Sequence, residues 1–587
     1  MTSEHPQTDA TSLVESWRSR AVKAIAVVAL LCGVAVYSTS AAWRNPTTSV
    51  ALPPQGSRTV ALFNIWSMLW NSKQILTPQL EWWNAPVFFP EQGSFAWSEP
   101  QPITMLLTPL LQNGQGALAY NLLLLFSLVM NGLLTLRLLR FWQICLPARL
   151  AAAIAVLLLP MVHEQLDVLQ LTALWPFLWL LTAASALNRA AVDATGRLRI
   201  TLHGAETGLA FVIIAAGSVH HALFVALLMG TTGWILVPWT RLSAWWPGLL
   251  ASAVVSLSLL LPLLLSMKES LERHKFERSE SLVEKLSVDL VDFSIQPKGY
   301  WLFQNATPHK TWSPMCPGYV RCGLAGLAAV LLLARVLTGR PASGPRSREL
   351  LFLIAFACAS FNFSLGMHLG TESVKVWPVL TSAIPGFGHV RSPFRFGYFF
   401  QLSIVLLAAA GLHTILRRPV PDSRFARRLQ LTIACGVAAV LAFEILPQPL
   451  ATIGVPRISE KPDWADVIAD RQQHGEGTLL LPYAVTSRAV DFEQTVRWMI
   501  QATAADLPLA NGYSGFFPKS HFQLQRTLNE PTCTAAAIRL IRNRRIRFVI
   551  AVDADSSNWL QSAPPGTFQI LQQLDSGITV YQFVPAG

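Results

Sequence analysis

About eleven apolar runs, each near the length needed to cross a bilayer, punctuate this 587-residue chain and leave it few ways to fold. In hydrocarbon every backbone N–H and C=O must be satisfied within its own segment, so such runs become helices packed on one another. They lie at about 24–43, 116–136, 148–162, 168–187, 206–221, 222–238, 246–266, 322–337, 350–367, 396–416 and 429–447. Some are short enough to be re-entrant. Only 13% of residues are Asp, Glu, Lys or Arg, against roughly 25% in soluble domains, and 52% are hydrophobic. This balance excludes a string of soluble domains and a disordered polymer. Seven Cys are too dilute for a disulfide-rich module.

The formal net charge of +12 reads first as a topology signal, not as nucleic-acid binding. Arg18, Arg20 and Lys23 precede the first run and place the N-terminus in the cytoplasm. Cleavage as a signal peptide, suggested by the small residues Ser38 to Ala42, is the rival reading and leaves the later sidedness unchanged. Counting alternately from there, the cytoplasmic connections hold Arg137, Arg140 and Arg149; Arg189, Arg197 and Arg199; Arg241; Arg335, Arg340, Arg346 and Arg348; and Arg417, Arg418, Arg424, Arg427 and Arg428. Alternation and charge bias therefore agree.

Three long segments, 44–115, 267–321 and 368–395, fall on the outer face, where binding and chemistry are expected because short connections only join spans. The division is a cytoplasmic tail at 1–23, a membrane core at 24–447 and an extracytoplasmic α/β domain at 448–587. Pro447, Pro449 and Pro456 mark the linker to that domain. Within it, 478–481, 548–552 and 578–583 read as strands, and 463–473 and 534–542 as helices. Cys316 and Cys322 flank a Pro-Gly turn on the outer face, and either a disulfide or two free thiols fits that spacing.

The first outer loop carries Trp66, Trp70, Trp82, Trp83, Phe88, Phe89, Phe95 and Trp97, which predicts interfacial helices lying along the bilayer surface. Among those rings stand Glu81, Glu91 and Glu99. A carboxylate in apolar surroundings gains proton affinity, as a general base near neutral pH requires, while solvated loop acids are the plainer reading. HEQLD places His163 and Asp167 four residues apart, on one face if the segment is helical, able to hold a metal or a substrate hydroxyl; a polar hairpin turn is the alternative. His220 and His221 are adjacent, so on a helix they diverge by roughly 100° and cannot chelate together. IPGFGHVRSPFRF, Ile384 to Phe396, sets His389, Arg391 and Arg395 just outside a span. Arginine forks match phosphate oxygens bidentately, so these two are candidates for a lipid phosphate clamp; ordinary interfacial anchoring is the competing account.

Taken in order, NAPVFFPEQGSFAW, ALAYNLLLLFSLVMNGL, IPGFGHVRSPFRF and the tail motifs LPYAV, NGYSG and RIRFVIAVD resemble bacterial polytopic proteins related to the GT-C superfamily of polyprenyl-phosphate-sugar glycosyltransferases. The likeness runs from about Ala41 to the C-terminus. It implies an α-helical polytopic membrane protein of about eleven transmembrane helices, GT-C-like, with a C-terminal outer-face α/β domain, in the bacterial inner membrane. It implies transfer of a sugar from a polyprenyl-phosphate donor to a hydroxyl of an envelope glycan or glycolipid acceptor, with membrane lipid as partner and no nucleic acid. Glu91, with Glu81 second, stands as the base, Arg391 and Arg395 as the donor-phosphate clamp, and His163, Asp167, Glu99 and His389 as further cavity residues. No cofactor is demanded; a divalent metal bridging Glu81 or Asp167 to the phosphate is compatible with these residues. One departure matters: family members often carry Gly-Asp early in the first loop, where this chain has Gly56-Ser57. Either Glu81, Glu91 or Glu99 substitutes for that acid or the chain is a catalytically inactive envelope assembly protein; a transporter of lipid-linked sugars is the other alternative, set against spans nearly free of polar groups.

Overall fold

The computed structural model describes residues 10–77, 79–296, 299–303, 314–338, 347–371, 374–417, 424–458 and 461–585. Arg340, Arg346 and Arg418, counted among the charges on the connecting loops, lie outside the described residues.

The apolar runs form helices. The first is α1, Ala10–Ser38, which begins earlier than its apolar run and ends before it. After β1, Ser49–Leu52, comes α2, Arg58–Leu76, whose N-terminus is capped by the Ser57 hydroxyl accepting from the Val60 N–H. The core continues through α3, Gly116–Phe141; α4, Leu146–Leu157; α5, Trp175–Val192; α6, Arg197–Gly217; α7, Val219–Thr232; α8, Leu242–His274; α9, Tyr319–Thr338; α10, Ser347–Ser364; α11, Gly397–Leu416; and α12, Arg424–Phe443. Among the described residues, seven helical stretches are long and apolar enough to cross a membrane. The chain is a multi-pass membrane protein. Pro160 stops α4 early, because the residue before a proline is pushed out of helical geometry.

β2, Ala451–Gly454, follows α12 and pairs antiparallel with β1, Val50 opposite Ile453, which ties the start of the tail to the first loop. The tail then forms α13, Asp463–Ala469; β3, Gly477–Leu481; α14, Glu493–Ala504; α15, Lys519–Leu528; α16, Ala535–Asn543; β4, Ile546–Ala551; α17, Ala554–Gln561; β5, Phe568–Gln573; and β6, Thr579–Phe583. The sheet runs in the order β3-β4-β6-β5, parallel between β3 and β4 and antiparallel elsewhere.

The first loop differs from its expected place along the bilayer surface. α2 packs on α14, and the Trp66 indole donates to Thr503 Oγ1 at 3.0 Å. Trp66, Trp70, Phe88, Phe95 and Trp97 are buried. The turn before Pro90 is annexed by the tail: the Phe89 N–H donates to Leu509 O at 2.7 Å, and the Leu509 N–H returns to Pro86 O at 3.0 Å. The rings that were expected to prefer lipid headgroups find a drier place between loop and tail. Cys316 and Cys322 are free thiols; the Cys316 sulfur accepts from Gln296 Nε2 at 3.1 Å instead.

Candidate active site

A cavity of about 530 Å³ lies between the first loop, the start of α7, the end of α8, the segment 385–395 and the tail residues 513–516. Three arginines line it. Arg391 and Arg395 come from the segment preceding α11, where Gly386, at φ +82°, supplies the left-handed turn that a side chain would disfavour. Arg395 is half-buried, and its buried Nε has no hydrogen-bond partner among the described residues. The third, Arg278, stands beyond the end of α8. It donates from Nη2 to Gly515 O at 2.7 Å and from Nε to His389 O at 3.5 Å, and its guanidinium lies 3.5 Å from the Phe516 ring centroid. Burial, together with the positive charges of Arg391 and Arg395, pulls Arg278 down to about 9. Among the described residues none of the three forms an ion pair with a carboxylate. Like charges gathered in one cavity with no carboxylate paired to them favour an anion there.

Another part of the wall carries Glu99 and His220. Glu99 Oε1 accepts from the Ser218 hydroxyl at 2.8 Å and the His220 N–H at 2.8 Å, and lies 2.7 Å from His220 Nδ1. Ser218 is also the N-cap of α7, so the carboxylate sits at that helix's positive end. Burial alone would raise the proton affinity of Glu99, but the His220 ring and these donors outweigh it and hold the group at about 2. His221 turns away, its ring 5.4 Å from that of Tyr398, as the helical divergence of adjacent residues requires.

A model described as a domain of unknown function, DUF6311, matches residues 82–440, more than half of the chain. The chain belongs to the DUF6311 family. No curated protein matches it. Among solved structures, this DUF6311 chain is similar to the arabinofuranosyltransferase AftD from Mycobacteria, at 15% identity over 94% of this chain and 41% of that one, with a TM-score of 0.54. It is also similar to the archaeal oligosaccharyltransferase AglB from Archaeoglobus fulgidus, in complex with an inhibitory peptide and a dolichol-phosphate, at 12% identity over 95% of this chain and 74% of that one, TM-score 0.46. A third is ArnT from Cupriavidus metallidurans bound to undecaprenyl phosphate, at 11% identity over 98% and 99%, TM-score 0.40. The likeness to AftD shows the fold: the DUF6311 chain has a GT-C-like architecture, although it spans less than half the length of that enzyme.

The DUF6311 fold distributes the sequence-predicted residues unevenly. Glu99, His389, Arg391 and Arg395 line the cavity. Glu91 does not; it faces the tail, 3.9 Å from Arg544 Nη2. Glu81 is exposed and accepts from Asn84 Nδ2 nearby. His163 and Asp167 do not share a helical face, because the helical turn opened by Pro160 ends at His163 and residues 164–167 are turns. Both are buried and neither lines the cavity, although Val168 and Gln170 just beyond do. Asp167 accepts instead from the Ser57 N–H, and burial raises it to about 6 against that bond. Among the described residues no three His, Cys, Asp or Glu side chains gather as a metal-binding group, and Glu81 and Asp167 stand in separate surroundings. Sequence reasoning passed over Arg278, and it weighed His220 only as a metal ligand, not as a partner of Glu99. For Arg278 the signal was its place in a long loop; for His220 it was a serine cap two residues earlier.

Proposed function

We propose that this chain is a membrane glycosyltransferase that moves a sugar from a polyprenyl-phosphate donor to a hydroxyl acceptor on the side bearing the long loops and the tail. The arginine bias of the short connections supports reading that side as the outer face, and on this proposal the membrane is a bacterial inner membrane and the acceptor an envelope glycan or glycolipid. One observation carries the reading: Arg278, Arg391 and Arg395 line a single cavity, and among the described residues no carboxylate is paired to any of them. Leu223, Leu264, Met267 and Leu271 supply an apolar side to the same cavity, so it suits a molecule with an anionic head and a hydrocarbon tail. In the reaction the acceptor oxygen bonds to the anomeric carbon while the carbon–oxygen bond to the lipid phosphate breaks and its electron pair leaves with the phosphate. The guanidinium groups meet charge that grows on that phosphate in the transition state, which is where stabilisation accelerates the step. A phosphate leaves without being protonated, so no general acid is needed.

The test uses purified protein in lipid nanodiscs with a polyprenyl-phosphate sugar. The Arg391→Gln/Arg395→Gln pair is expected to bind the lipid about 10²–10⁴-fold more weakly, each lost charge-assisted bond being worth roughly 1.5–3 kcal/mol. Unchanged binding and transfer by that pair rejects the clamp. Movement of the lipid across the bilayer without sugar transfer favours the transporter reading.

A further inference from the structure

We propose that His220 is the general base of this site and that Glu99 is its positioning partner. The proposal rests on the glycosyltransferase reading and adds to it the residue that takes the proton.

Glu99 is ionised, and an ionised carboxylate can only accept hydrogen bonds. At 2.7 Å from Glu99 Oε1, His220 Nδ1 must therefore carry the hydrogen and donate it. When the ring is neutral, the opposite nitrogen, Nε2, keeps its lone pair, on a residue that lines the cavity. It has no hydrogen-bond partner among the described residues. The carboxylate is itself fixed: the same Oε1 takes the Ser218 hydroxyl and the His220 N–H, both at 2.8 Å. Ring, carboxylate and helix start are thus one unit, in which Glu99 sets the tautomer and the orientation and would stabilise the imidazolium once formed.

An aromatic pair joins the unit to the segment that carries the clamp. Phe224, one turn along α7, holds its ring 4.1 Å from that of Phe396, the residue after Arg395, and 6.3 Å from the His220 ring. Base and clamp therefore share a wall of aromatic rings, while the three arginines present only donors. Among the first-loop acids, Glu91 faces Arg544 and Glu81 faces Asn84, outside the cavity lining. In the step, the acceptor hydroxyl gives its proton to His220 Nε2 as its oxygen bonds to the anomeric carbon. The bond from that carbon to the donor phosphate breaks with its electron pair on the phosphate, so protons and electrons balance without a further reactant.

The experiment compares His220→Ala, His220→Gln and Glu99→Gln with the unsubstituted protein in nanodiscs, measuring kcat, KM and donor binding. Both His220 variants are expected to lose about 10²–10⁴ in kcat, the usual contribution of a positioned base, with donor binding within about twofold. Imidazole added to His220→Ala is expected to restore part of the rate, which a folding defect would not allow. Glu99→Gln is expected to lower kcat with little change in KM, because the amide can fix the wrong tautomer. Turnover by His220→Ala and His220→Gln within about threefold of the parent overturns the proposal alone. Absence of imidazole rescue in a variant that still binds donor also overturns it. Failure of the unsubstituted protein to transfer any sugar removes the glycosyltransferase reading and this proposal with it.

Discussion

The backbone N–H of Ser57 donates to Oδ2 of Asp167 across 2.8 Å, joining the start of α2 to a turn that follows 110 residues later in the chain. Position 57 is where the family resemblance expects an acid, and a carboxylate is present beside it although residue 57 carries none. Its second oxygen, Oδ1, is buried without a hydrogen-bond partner among the described residues. Burial thus raises Asp167 from its ordinary 3.8 to about 6. Between those values the folded protein holds more protons on this group than the unfolded chain does, so stability must fall as pH rises through the window. Asp167→Asn keeps an oxygen for the Ser57 N–H and removes the charge. Thermal unfolding of detergent-solubilised protein between pH 4 and 7 is expected to show the variant gaining on the parent as pH rises, by on the order of 2 kcal/mol. Parallel curves across that range contradict the buried, proton-holding carboxylate.

Glu91→Gln is expected to leave sugar transfer within about threefold of the parent. Its carboxylate faces Arg544 of the tail at 3.9 Å and is absent from the cavity wall. Loss of such a partly exposed pair costs roughly 0–1 kcal/mol, so the change belongs in stability, not rate. A collapse of kcat at unchanged donor affinity returns the base to the first loop.

The membrane core was legible because a bilayer's thickness writes itself into a chain as apolar runs, and the helices from α3 to α12 overlap the runs read for them. The clamp pair was legible for a local reason: Arg391 and Arg395 stand four residues apart in a segment already marked by glycines and prolines. What stayed hidden depends on tertiary approach. Glu81, Glu91 and Glu99 look alike along the first loop, and only the arrival of the α7 start against Glu99 separates them. The aromatic loop was misplaced for a similar reason: an indole at a membrane boundary and an indole under a soluble domain have the same sequence signature, and the tail decides which occurs. β5 was missed because FQILQQ is a largely exposed edge strand with little apolar alternation to reveal it.

Gly512→Ala should loosen the tail from the first loop. A Cβ there would stand 2.7 Å from three atoms of the buried Phe88 ring, which is itself enclosed by Trp97, Phe517 and His521. The expected cost is about 1–3 kcal/mol, the usual penalty for overpacking a filled core. Gly515, three residues on, supplies the carbonyl that holds Arg278, so donor binding should weaken as well. Phe88→Leu combined with Gly512→Ala is expected to recover part of both losses. If the double variant is as unstable as the sum of the singles, the two residues are not in contact as described.

α6 and α8 approach closely because small residues face one another at one-turn spacing. A Cβ on Gly204 would fall 2.0 Å from Gly248 O, and one on Gly208 would fall 2.5 Å from Ser252 O. Backbone atoms are the obstacle in both cases, so no side-chain rotation can relieve the clash and the helices themselves must separate. In a membrane, where apolar lipid offers no hydrophobic drive for association, packing of this kind holds helices together. Gly204→Ala and Gly208→Ala are therefore expected to lower the unfolding temperature in detergent, Gly204→Ala more, despite alanine's better helix propensity of about 1 kcal/mol. Gly230→Ala in α7 is the control, since no atom lies within 4 Å of its added Cβ, and that variant should be neutral or slightly more stable. The shape of α8 makes the outcome matter for the site, because Leu264, Met267 and Leu271 on the same helix form the apolar side of the cavity. Separation of α6 from α8 should therefore weaken donor binding along with stability. If Gly204→Ala behaves like Gly230→Ala in both measurements, the close crossing does not exist.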